Sequence, residues 1–162
     1  MKKLYIKQKV IKITDHYPVL NRSGDEVYRV DQDFKLIGNR VKVTSLKGRT
    51  NFTIKRGINL FLPQYQVEFS NGKSIRIRQN LSIFRRKLSL YSRDYDLDIR
   101  GDIFSLNFKV YNAGRLVGEI YRKWLAWGDT FVLTVHDDSY EEEILAIFIA
   151  VDEIIDMAKR RD

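Results

Sequence analysis

Residues 141–155 read EEEILAIFIAVDEII, and within them eight apolar residues, Ile144 through Val151, follow one another without interruption. The flanks spell out a helix. Ser139 and Glu142 have capping-box spacing, Glu141 to Glu143 fill the first turn, and Lys159, Arg160 and Arg161 fill the last, each sign matching the helix dipole there. We therefore expect a helix over about 140–159. At about 100° per residue, eight consecutive apolar side chains point in every direction around the axis, so this half of the helix has to be enclosed on all sides. From Asp152 onward, Asp152, Glu153 and Asp156 are expected to return one side to solvent. The run is too short to cross a bilayer, which takes about 20 apolar residues.

Up to residue 137 the texture is β. Apolar residues alternate with polar ones at Leu4-Tyr5-Ile6, Val27-Tyr28-Arg29-Val30, Val41-Lys42-Val43 and Ile75-Arg76-Ile77-Arg78, the period of strands with one buried and one wet face. Glycine-bearing turns punctuate them at 22–25, 46–49, 70–73 and 112–115, with Asn71-Gly72 the most specific hairpin signal. This reads as ten or more short antiparallel strands. Six strand residues tilted near 40° make a wall roughly 15 Å high, against roughly 12 Å for eight helical residues. A single sheet covers only one side of a helix. A closed antiparallel β-barrel with the helix along its axis covers all sides and leaves no sheet edge, so the expectation is one mainly β domain over residues 1–162.

Composition bounds the rest. With 44% hydrophobic and 31% charged residues the chain is neither a disordered tail nor a membrane span. Met1 to Thr14 interleaves Lys with Leu, Tyr and Ile instead of offering the apolar block of a signal peptide, and the sequence contains no cysteine. We expect a cytoplasmic location, with peripheral contact at the inner membrane face. Cysteine chemistry, from disulfides to thiolate nucleophiles and acylation, is excluded. The net charge of +8 is unevenly placed: residues 34–93 hold fourteen Lys or Arg and one acid, Glu68, while 138–162 hold eight acids and three bases. Such asymmetry points to an anionic partner.

The segment from Asn107 to Asp156 resembles the C-terminal part of the LURP-one-related family. The resemblance rests on Phe108-Lys109-Val110-Tyr111, Gly114-Arg115, Val117 to Ile120, Tyr121-Arg122-Lys123-Trp124, Asp129-Thr130-Phe131 and the apolar helix with Val151-Asp152-Glu153. Gly24 to Val30 and Leu60 to Tyr65 look like the family's first half. The resemblance implies the fold shared with the tubby C-terminal domain and the phospholipid scramblases, a twelve-stranded barrel around a central hydrophobic helix. It implies no single activity. Tubby-like domains bind phosphoinositides and are linked to transcription, whereas scramblases are linked to lipid movement and calcium, and no site residue carries over to this chain.

Enzyme signatures are missing. There is no nucleophile elbow, Walker loop, dinucleotide glycine motif or His-Glu-x-x-His, and the two histidines are His16 and His136. A single His where the last strand meets the helix is an ordinary polar residue more often than a catalyst or ligand. Asp94, Asp96 and Asp98 have a calcium-like spacing, but Ile99 stands where an EF-hand needs Gly and Ser105 where it needs Glu. We read this stretch as a strand with Tyr95, Leu97 and Ile99 inside and the carboxylates in water. No catalytic residue, metal or cofactor is expected.

The basic band carries the functional expectation. Arg76 and Arg78 share one strand face, Arg85, Arg86 and Lys87 follow closely, and Lys42, Lys47 and Arg49 lie on a hairpin that would be adjacent. Guanidinium forks match phosphate oxygens. These eight residues either converge on an anionic ligand or merely solvate the outer wall. Trp124 and Trp127, with Leu125 between, fall where the last two strands join; we expect them to plug one barrel mouth, the alternative being contact with a membrane interface beside Arg122 and Lys123. The leading expectation is a non-enzymatic module for a phospholipid headgroup or another phosphate-bearing ligand. The alternatives are sequence-nonspecific nucleic-acid binding through the same band and scramblase-like lipid transfer.

Overall fold

A computed structural model describes residues 1–8, 15–33, 40–46, 48–57, 62–80, 87–126 and 128–161. Twelve strands and one long helix stand among them: β1 (Lys2–Lys7), β2 (His16–Leu20), β3 (Glu26–Asp33), β4 (Arg40–Ser45), β5 (Thr50–Arg56), β6 (Gln64–Phe69), β7 (Ser74–Asn80), β8 (Lys87–Tyr91), β9 (Leu97–Asp102), β10 (Asn107–Asn112), β11 (Arg115–Leu125), β12 (Gly128–Val135) and α1 (Glu141–Arg161). Every ladder is antiparallel, and the spatial order is β8-β7-β6-β5-β4-β3-β2-β1-β12-β11-β10-β9. Sequence neighbours pair except β8 with β9, and one ladder joins the first strand to the last, with Leu4 opposite Leu133.

The barrel is nearly closed. Among the described residues no ladder joins β8 to β9, so a seam runs between these two strands. At one end the loop 92–96 stitches across it: the Ser92 hydroxyl donates to the Ser74 carbonyl at 2.6 Å, and Asp94 accepts from the Ser74 N–H at 3.0 Å. On the far side of the loop, Asn112 accepts from the Asp96 N–H and the Ala113 N–H donates to the Asp96 carbonyl. The sequence expectation of a sheet without an edge is thus corrected at one place. A second thin joint lies between β1 and β2, where Tyr5 and Leu20 form the sole registered pair.

The helix runs down the axis as its composition demands. Ile144 through Val151 are all at most 1% exposed, and the buried stretch continues through Asp152 and Glu153 to Ile155. Residues 143–155 make about 20 Å of helix. Strands of eight residues, tilted, give a wall of about the same height. Inward side chains from around the wall, among them Val19, Val43, Ile54, Val67, Ile77, Val110 and Leu133, close on the helix in one core. Gly118 on β11 allows the closest approach: a Cβ there would lie 2.7 Å from Ile144 Cγ1.

Two expectations about the helix are corrected. Its start is not capped by a box of Ser139 and Glu142. A 3₁₀ turn (Asp138–Tyr140) precedes α1, and Asp137 caps that turn by accepting from the Ser139 N–H, while Glu142 is taken up by the wall. Nor do Asp152 and Glu153 return to solvent, being 9% and 8% exposed, because the wall is taller than the apolar run alone suggested. Partial exposure begins at Asp156, and Lys159 and Arg160 are exposed.

Candidate functional site

The outer face of β6, β7 and β8 is built by simple alternation. Ile75 and Ile77 are fully buried, so Arg76 and Arg78 face out, their Cα atoms about 6.6 Å apart along the strand. Arg76 stands opposite Gln66 of β6 and Tyr91 of β8, and Arg78 opposite Gln64 and Ser89. Lys87 opens β8 opposite Asn80. Arg76 Nε donates to Gln66 Oε1 at 3.3 Å, and the Asn80 amide donates to the Ser89 hydroxyl. Among the described residues none of Arg76, Arg78 and Lys87 has a carboxylate partner. The result is three exposed cations set among neutral hydrogen-bonding side chains, with Tyr91 half-exposed at the edge.

Among the described residues the other basic candidates, Lys42 and Arg49, do not converge on this patch. Lys42 lies on β4, three ladders or about 14 Å from β7, and stands opposite Asp31. Lys55 donates to Glu68 at 2.9 Å, and Arg40 is registered with Asp33. Arg49 is exposed in the turn between β4 and β5, at the rim where the helix enters. The band of positive charge therefore divides into a part matched by acids on β3 to β6 and an unmatched part on β7 and β8. Lys47, Arg85, Arg86 and Trp127 lie outside the described residues.

Trp124 corrects the expectation of a plug: it is the last residue but one of β11 and is 75% exposed. Arg122 and Lys123 diverge because successive strand residues face opposite ways. Arg122 lines a cavity of about 220 Å³ at the rim where the helix leaves, together with Phe104, Phe131, Asp152, Asp156 and Lys159. Lys123 faces the outer wall, opposite Thr130 of β12. Near this exit rim burial and the neighbouring Asp156 raise the Glu153 carboxyl above its ordinary range, with Arg160 and Arg56 pulling the other way. Tyr17, fully enclosed beside Asp152 and Glu153, has its phenol raised chiefly by burial.

At the entry rim the three successive glutamates are each spoken for. Their side chains leave the helix about 100° apart and meet three different parts of the wall. Glu141 accepts from the Lys2 ammonium and from the Tyr28 hydroxyl, the latter at 2.8 Å; Glu142 accepts from the Asn51 amide at 2.6 Å; Glu143 accepts from the Tyr95 hydroxyl. Burial raises the Glu143 carboxyl, and burial with the adjacent carboxylates raises the Tyr28 and Tyr95 phenols. These residues are anchors that orient the helix. The sequence assigned the glutamates to the helix start, through its dipole and a capping box, because no local signal ties them to partners 48 to 139 residues away.

The other polar motifs are structural. His136 Nε2 lies 3.5 Å from Glu119, which also pairs with Lys109. Asp94 and Asp96 hold the seam loop, and Asp98 pairs with Arg100 at 2.7 Å. Tyr95 precedes the strand expected over this stretch, which begins at Leu97, while Ile99 is buried as expected. Among the described residues no group of three or more metal-ligating side chains comes together.

With this geometry in place, comparison with known proteins is informative. The model of the LURP-one-related family matches residues 2–152, nearly the whole chain. The chain belongs to the LURP-one-related family. The family match takes in every strand and the axial helix as far as Asp152, so the entry rim is within it, whereas Glu153, Asp156 and Lys159 of the exit rim lie beyond it. Among curated proteins the chain is similar to the uncharacterized protein YxjI of Bacillus subtilis (strain 168), 24% identical over 162 residues that cover 100% of this chain and 96% of that one. Among solved structures it is similar to an X-ray structure of a protein from Arabidopsis thaliana, at a TM-score of 0.59 and 14% identity, covering 93% of this chain and 91% of the other. At that identity the likeness shows the fold. No helix of the described residues is long and apolar enough to cross a membrane.

Proposed function

We propose that this LURP-one-related chain is a non-catalytic binding module that engages anionic phospholipid headgroups through Arg76, Arg78 and Lys87, at the inner face of the cytoplasmic membrane. The observation that carries the reading is the pairing pattern: these three cations have no carboxylate among the described residues, whereas Lys55 is bound to an acid and Lys42 and Arg40 stand opposite acids. A headgroup phosphate offers oxygens for the two guanidinium forks, and Gln64, Gln66, Ser89 and Asn80 surround them with neutral donors. Each cation at an anionic surface contributes about 1 kcal/mol, so three give a weak, salt-sensitive and reversible attachment. Trp124 lies near the end of its strand at the exit rim, the same end of the barrel as Lys87, and an exposed indole suits the headgroup region.

Co-sedimentation with vesicles tests the reading. The chain is expected to pellet with phosphatidylserine-containing vesicles and not with phosphatidylcholine alone, and Arg76→Glu with Arg78→Glu is expected to abolish pelleting while leaving the thermal midpoint unchanged. Equal recovery on neutral vesicles, or no effect of the double reversal, overturns it. Duplex DNA displacing the vesicles with a steep salt dependence would transfer the site to nucleic acid.

A further inference from the structure

The wall made by β2, β1, β12 and β11 breaks the rule that outward residues of a barrel are polar. Leu20 is registered with Tyr5, Tyr5 with Val132, and Val132 with Tyr121, so one outward row across four strands is wholly apolar or aromatic. Val132, on the outside of the barrel, is nevertheless only 1% exposed. The equivalent outward row across β4 to β7 reads Arg40, Lys55, Gln66, Arg76. Side chains of the apolar row bound a groove of about 190 Å³. Tyr5 and Tyr121 flank Val132, which lies sealed beneath them, so a ring in the groove would rest against the tyrosine side chains at a normal contact of about 3.5–4 Å.

The groove's charge has one sign. Lys3, Arg22 and Lys123 line it, and among the described residues no carboxylate does. Lys3 is already directed onto Tyr121, its Nζ donating to the phenol oxygen at 3.3 Å and lying 5.9 Å from the ring centroid. Size decides among anions with an apolar body. A cavity of about 150 Å³ holds benzene, so this one takes a substituted ring and is too small for a whole phospholipid. It lies on nearly the opposite side of the barrel from β7 and is independent of the headgroup reading.

We propose that this outer groove is a binding site for an aromatic carboxylate, the ring against Tyr5 and Tyr121 and the carboxylate among Lys3, Arg22 and Lys123. Titration of the ¹⁵N-labelled full chain with naphthalene-2-carboxylate, 2-naphthamide and octanoate, read by amide chemical shifts, tests each part. The carboxylate is expected to shift the amides of Tyr5, Leu20, Tyr121 and Val132 saturably, about tenfold more tightly than the neutral amide. Lys3→Gln with Lys123→Gln is expected to remove that advantage, and Tyr121→Leu to weaken the carboxylate about fivefold, with both variants keeping the spectrum of the folded chain. Absence of saturable shifts at these amides, or octanoate binding as tightly as the aromatic acid, overturns the proposal. Shifts confined to Arg76, Arg78 and Lys87 would also overturn it while supporting the headgroup site.

Discussion

An alanine scan along α1 tests whether the helix is surrounded or merely covered. Ile144, Leu145, Ile147, Phe148 and Ile149 are each at most 1% exposed. On a helical wheel Leu145 and Ile149 lie on one side, Ile147 lies about 180° from their midpoint, and Ile144 and Phe148 lie in between. A helix against one flat sheet would leave one of these groups facing solvent, where truncation costs little. Inside a barrel both groups leave cavities. Ile or Leu to Ala in a close-packed interior costs about 2–5 kcal/mol and Phe to Ala about 3–5. Phe148 also loses its tilted contact with Phe131, whose ring centroid is 5.2 Å away. Against a total stability of about 5–15 kcal/mol for an ordinary domain, each substitution is a large fraction. With a urea m-value near 2 kcal/mol/M, a loss of 3 kcal/mol lowers the midpoint by about 1.5 M. All five variants are expected to fall by at least about 1 M in urea unfolding followed by circular dichroism. If Leu145→Ala and Ile149→Ala fall by that much while Ile147→Ala moves by less than about 0.3 M, or the reverse, the helix is covered on one side and not enclosed.

Gly118→Val is expected to cost about 1–3 kcal/mol by driving a side chain into Ile144, and Ile144→Ala in the same chain should recover part of the loss in a thermal melt. Asn51→Leu leaves the Glu142 carboxylate without its amide donor and is expected to cost about 1–3 kcal/mol in urea unfolding. Glu153 has a folded pKa held above the ordinary 4.5, so its contribution to stability is complete below that pH and is lost as pH rises through the raised value. Glu153→Gln, which stays neutral, should therefore unfold at higher urea than the native chain at pH 7, an advantage that disappears in the same measurement at pH 4.

The barrel and its axial helix were legible because both are written locally. Eight apolar residues in a row admit one kind of surroundings, and alternation such as Ile75-Arg76-Ile77-Arg78 fixes which side of a strand is wet. What escaped the sequence depends on distances along the chain that no local pattern encodes. Asp152 and Glu153 look exposed on a helical wheel, yet the height of the wall buries them. Trp124 looks like a plug by size, but the length of β11 carries it past the rim. Arg76, Arg78 and Lys87 were visible as basic residues. Their separation from Lys42 followed only from the order of β4, β5, β6 and β7, and the row Leu20, Tyr5, Val132, Tyr121 exists only once the first strand lies beside the last.

The pairing of Leu4 with Leu133, and the position of α1 after both, also orders events during synthesis. A ribosome delivers the strands first and their filling last, so the nascent chain holds a dozen half-apolar ribbons with nothing yet to pack against them. Domains made of such distant pairings fold slowly and expose sticky surface while they wait. A message cut short before the codon for Ile144 would therefore release an empty shell, prone to aggregate rather than a smaller working protein.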